Sequence, residues 1–82
     1  MTLTGSEIKA PGTYTARLAT EDSAEATMLL NHMNETDCST SACDEATATW
    51  TVTFNYSAAA CAGVLGDLRW LAESGAVTVE AI

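Results

Sequence analysis

The side chains best suited to nucleophilic, acid–base or metal chemistry are few: His32, Cys38, Cys43 and Cys61, with Asp37 and Asp44 beside the first two cysteines. A Cys–His mechanism needs nucleophile and base in contact. Cys38 follows His32 by six residues, across an expected helix end, a spacing that permits contact. Nothing nearby resembles a nucleophile elbow or a papain-like signature. An exposed, structurally idle histidine is the simpler reading. His32, Cys38 and Cys43 also offer mixed ligands for a metal. Their H-x5-C and C-x4-C spacings contain no C-x2-C knuckle. A Cys38–Cys43 disulfide pinching the loop is the alternative, outside a reducing compartment. Cys61 falls on the apolar stripe of a helix and reads as a small core residue.

Other catalytic patterns are missing. Gly63 and Gly66 lie inside a helical pattern with no Lys or Ser/Thr companion, so they make no phosphate loop. The carboxylates have no apolar pocket that would separate their pKa values, as paired catalytic acids require. The expectation is a protein that is not an enzyme and needs no cofactor.

The elements that would carry these residues follow from periodicity. Thr13 to Thr20 alternates, with Tyr14, Ala16 and Leu18 on one side, which is a half-buried strand. Asp22 and Glu25 have capping-box spacing and open a helix to about Asn34, with Ala26, Leu29, Leu30 and Met33 as its apolar stripe. Met28, His32 and Glu35 project from the other side. Glu35 to Glu45 reads as a loop or a weak edge strand. Ala48, Trp50, Val52, Phe54 and Tyr56 alternate with threonines and Asn55, the clearest strand in the chain. The ranked Thr47, Thr49, Thr51 and Thr53 resemble one rung-set of an ice-binding surface, but one strand is not an array. Ser57 can cap a second helix from Ala58 to Ser74, with Gly75 as its stop and Cys61, Val64, Leu65, Leu68, Leu71 and Ala72 facing inward. A short strand, Ala76 to Glu80, closes the pattern.

Residues 1–12, polar and ended by Ala10-Pro11-Gly12, are expected as an N-terminal arm, frayed or with a short strand near Glu7 to Lys9. Residues 13–82 are expected as a single α+β domain. Its two helices should pack on one face of an antiparallel sheet of three to four strands, ferredoxin-like βαββαβ or a close variant, with the other face uncovered.

Charge is the outlying bulk property: eleven acids against three bases, a net charge of −8. Direct binding to nucleic acid or to an anionic membrane is not expected, since both require Lys and Arg. The chain has no signal-peptide pattern and no apolar run that could span a bilayer, so it reads as cytoplasmic. The acids are unevenly placed. Glu21, Asp22, Glu25, Glu35, Asp37, Asp44 and Glu45 occur with no Lys or Arg between them, and residues 46–66 carry no charge. An acidic edge beside a neutral sheet is expected, suited to a basic protein partner such as a nuclease or nucleic-acid-binding complex. The plain alternative is acidity for solubility, or for a salt-loving host. On helix two, Ala59, Gly63, Gly66 and Trp70 fall within about 60° of one another. Trp70 there is a candidate anchor for a partner or a homodimer, unless the arm covers it.

In size, acidity and lack of catalytic residues the chain resembles phage-encoded anti-defence proteins, such as anti-CRISPRs and restriction inhibitors. The resemblance is one of profile over the whole chain. It implies a host nuclease or surveillance complex as target, the host cytoplasm as location, and steric blockade or nucleic-acid mimicry as mechanism. The runner-up is a homo-oligomeric structural or accessory subunit joined through helix 58–74 or the neutral sheet face.

Overall fold

Alternating small, β-branched and aromatic residues form four strands in a computed structural model that describes residues 1–19, 23–35, 38–56, 59 and 61–82. The order is β1 (Gly12–Leu18), α1 (Ala24–His32), β2 (Ser39–Asp44), β3 (Thr49–Phe54), α2 (Ala62–Glu73) and β4 (Val77–Ala81). Every strand pair is antiparallel and the sheet order is β2-β3-β1-β4. This is an α+β fold with the βαββαβ element order, ferredoxin-like or a close variant of it.

Period two sorts the sheet into two faces. Tyr14, Ala16, Trp50, Val52, Phe54, Val77 and Val79 point under the helices and are buried. Ala26, Leu30 and Met33 from α1 and its extension meet them, as do Leu65, Leu68 and Leu71 from α2. Each large apolar side chain buried this way contributes about 1.5–3 kcal/mol. Both helices therefore lie on one face, and the opposite face is open.

The doubtful segment resolves as a strand. Thr40, Ala42 and Asp44 are exposed, while Ser39 and Ser41 turn inward. A strand with serines in its core positions gives no apolar alternation, which is why periodicity left it ambiguous. The inward hydroxyls have a specific task. Ser39 Oγ donates to Met33 O at 3.0 Å and Ser41 Oγ donates to Leu30 O. They satisfy carbonyls at the end of α1, which passes into a 3-10 turn at Met33–Glu35.

Several expected boundaries move. The clearest strand is shorter than its pattern: Ala48 has φ 53° and sits in the turn before β3, and Tyr56 is exposed beyond its end. Helix α2 spans Ala62–Glu73 with Cys61 at its N-cap, and the expected start at Ala58 lies outside the described residues. Ser57 as its cap, and Asp22 as the cap of α1, lie outside the described residues; Ser23 occupies the N-cap of α1. The stop at Gly75 is as expected. With φ 81° it accepts the left-handed conformation, Gly75 N–H reaches Ala72 O, and Ala76 N–H reaches Leu71 O, a Schellman pair.

Residues 1–12 pack against the domain. Thr2 bridges Glu80, and Leu3 N–H donates to Val79 O at 2.7 Å. Thr4 and Glu7 have capping-box spacing around a 3-10 turn at Gly5–Glu7, with Thr4 N–H donating to Glu7 Oε1 at 2.8 Å. Ile8 is fully buried in the core. Lys9 is clasped by Tyr14, whose hydroxyl accepts from its N–H and donates to its carbonyl, both at 2.7 Å.

Candidate functional site

Three surfaces carry the residues singled out by sequence. The first is the acidic one. Asp44 closes β2 and pairs with Thr49, so it and Glu45 stand at the β2–β3 turn. Arg17 also pairs with Thr49, which puts the end of β1 at this same end of the sheet. Helix α1 then runs back, its Leu30 and Met33 reaching Ser41 and Ser39, so Glu25 in its first turn lies toward the turn end. Glu25, Asp44 and Glu45 are all exposed. Glu35 closes the 3-10 turn that precedes β2, at the opposite end. The five residue steps of β2 separate the two ends by roughly 17 Å. The fold thus brings Glu25, Asp44 and Glu45 toward one end and sets the backbone of Glu35 at the other. Glu21, Asp22 and Asp37 lie outside the described residues.

Neither Glu25, Asp44 nor Glu45 forms an ion pair with a basic side chain among the described residues. Among the described residues one ion pair forms, between the N-terminal ammonium and Glu80 at 3.4 Å. Arg69 is directed elsewhere, donating from Nε to Ile8 O at 2.9 Å. The carboxyl of Glu7 is held below its usual range, because the Thr4 backbone N–H and then the Thr4 hydroxyl bond its ionised form.

The second surface is the open sheet face. Register aligns Asp44, Thr49, Arg17 and Thr78 in one row across the four strands, and Ala42, Thr51, Thr15 and Glu80 in the next. Thr40, Thr53 and Thr13 make a third. Threonine thus fills most of the face, and its hydroxyls pair across strands, as at Thr53 Oγ1 to Thr13 Oγ1, 3.3 Å. Arg17, Thr15, Thr49, Thr78 and Glu80 line a shallow depression of about 420 Å³. The expected neutral wall is therefore only partly so. β3 is uncharged, but β1 adds a cation, and β2 and β4 add an anion each. Sequence reasoning saw the threonines of one strand; the register that sets four strands side by side is a tertiary fact.

The third surface is the outer face of α2. Trp70 is 53% exposed, and the arm does not cover it. The arm instead meets α2 at Arg69 and at Glu73, whose side chain packs over Gly5. A Cβ placed on Gly63 or Gly66 would meet nothing within 4 Å, so neither glycine is required by internal packing. The bare stripe leading to Trp70 is open.

Among the described residues the candidate metal and disulfide chemistry does not assemble. His32 is exposed on the last turn of α1. Cys38 precedes β2 and Cys43 is five residues further along an extended strand, roughly 16 Å away, beyond the reach of a disulfide of about 7 Å between Cα atoms. The same distance separates them as ligands, and no group of three His, Cys, Asp or Glu among the described residues could hold a metal. Cys61, assigned by sequence only to the core, is fully buried, yet its thiol lies 3.3 Å from Cys38 O and 3.7 Å from Tyr56 O. Burial, followed by a hydrogen bond with the Cys38 side chain, pushes its pKa up.

No helix among the described residues is long and apolar enough to cross a membrane. No family model matches the chain, and neither a curated protein nor a solved structure matches it.

Proposed function

We propose that this protein is a small, non-catalytic, cytoplasmic interaction module that docks on a basic, nucleic-acid-binding protein partner and blocks it sterically or by nucleic-acid mimicry, in the manner of anti-CRISPR and restriction-inhibitor proteins. The observation that supports this reading is the set of exposed carboxylates, Glu25, Asp44 and Glu45, facing solvent with no basic side chain of the chain's own in ion-pair contact. Like charges gathered at one end of a rigid fold are destabilising alone and complement a cationic groove.

Affinity capture from the native host at low and high salt tests the reading. A partner with a nucleic-acid site should be retained at low salt and released steeply as ionic strength rises. Reversal of Glu25, Asp44 and Glu45 to Lys should abolish its binding. Retention of a partner by the triple reversal, with unchanged salt response, would remove the proposal.

One observation favours a second reading, a homo-oligomeric accessory subunit: the uncovered Gly63, Gly66 and Trp70 face of α2. Two internal glycines cost about 1 kcal/mol each relative to alanine. A closely approaching partner backbone would offset that cost. Here Trp70→Ala should turn an oligomer into a monomer on sizing, and the charge reversals should have no effect.

A further inference from the structure

Two of the three cysteines, 23 positions apart in sequence, are brought together by the fold. Cys38 immediately precedes β2 and is half-buried against the core cluster, of which Cys61 is a fully buried member. Cys61 occupies the N-cap of α2. Its Sγ sits between the carbonyls of Cys38, which adjoins Ser39 of the last ladder pair, and of Tyr56, two residues beyond that pair's Phe54. All three cysteines are thiols here. Cys43 is exposed at the far end of β2 and takes no part.

We propose that Cys38 and Cys61 are an oxidation site, closing to an intramolecular disulfide that staples the start of edge strand β2 to the start of α2. The chemistry uses a low-molecular-weight disulfide such as oxidised glutathione. The thiolate of Cys38, the partly exposed member, attacks one glutathione sulfur and expels glutathione thiolate, leaving a mixed disulfide. Cys61 then loses its proton and attacks the Cys38 sulfur, forming the protein disulfide and expelling the second glutathione. Two protein thiols are oxidised and one glutathione disulfide is reduced to two thiols. The 3.3 Å approach of Cys61 Sγ to Cys38 O carries the contact, and burial, which pushes the Cys61 pKa up, slows the deprotonation that the second step needs. The inference is independent of the partner proposed above.

The test oxidises the whole chain, native and in denaturant, with oxidised glutathione, then maps disulfides by peptide mass spectrometry. In the unfolded chain the short Cys38–Cys43 loop should dominate, as loop-closure entropy favours near pairs. In the native protein Cys38–Cys61 should replace it. A Cys43→Ser variant should lose both remaining thiols, its mass falling by two hydrogens, and its melting midpoint should rise by roughly 10–20 °C. Stable glutathionylation of Cys38 without ring closure, or the same Cys38–Cys43 product from native and unfolded chains, overturns the proposal. So does a pair that stays unreactive while Cys43 of the wild type is fully modified.

Discussion

Arg69 and Ile8 meet through a 2.9 Å hydrogen bond from the guanidinium Nε to the backbone carbonyl, joining α2 to residues 1–12. The contact fixes Ile8 with its side chain fully buried. It also takes one of only three basic side chains away from the acids.

Truncating Ile8 to Ala should cost about 2–5 kcal/mol, the range for deleting a buried aliphatic side chain. Replacing Arg69 by Met, which keeps the stem but not the donor, should cost about 1.5–3 kcal/mol. Urea unfolding followed by tryptophan fluorescence reads both. If residues 1–12 only rested on the surface, neither change would move the midpoint.

Ser41→Ala removes the donor to Leu30 O beneath α1 and leaves a buried carbonyl without it, a loss of about 1–3 kcal/mol. Ser41→Val, with better strand propensity, should be no less destabilising. A Val variant as stable as the wild type would mean that the carbonyl has another partner.

Gly63→Ala and Gly66→Ala should each stabilise by about 1 kcal/mol, because their Cβ positions open onto empty space. Ala48→Gly should also stabilise, by about 1 kcal/mol, since φ 53° strains an alanine. Differential scanning calorimetry would register each as a rise of roughly 4–8 °C. Should the α2 face dock on another copy, the Gly→Ala changes would weaken association while strengthening the fold.

The carboxyl of Glu7 titrates below its usual value because Thr4 bonds the ionised form. Its contribution is therefore fully present above the unfolded-state value of about 4.3 and is lost as pH falls through the lower folded value. Glu7→Gln should be slightly less stable near neutrality and should lose less on acidification from about pH 5 to 3. Equal acid sensitivity in the two proteins would show that the turn at Gly5–Glu7 does not depend on that charge.

Periodic segments were legible in the sequence because burial alone decides them. Tyr14 and Ala16 declare one strand, Trp50, Val52 and Phe54 another, and Leu65, Leu68 and Leu71 a helix face, without tertiary help. β2 was not, because its inward positions are serines whose partners lie on another element. The Thr4 and Glu7 spacing was readable but stood in a polar stretch with no apolar run behind it. Of the candidate surfaces, Trp70 and the exposure of Glu25, Asp44 and Glu45 followed from sequence position. The separation of Glu35 from Asp44, the four-strand threonine face and the Cys38–Cys61 contact did not, since each depends on which strands are neighbours.

The hydrogen bonds that tie Thr2 and Leu3 to Glu80 and Val79 have a consequence for solubility. An unsealed border of a β-sheet is a template on which other chains can polymerise. On the β4 side those rungs are already occupied by the chain's own lead, held down by Ile8, Tyr14 and Arg69. Loosening that lead would do more than lower the melting temperature: it would bare a sticky border and invite fibrous self-assembly.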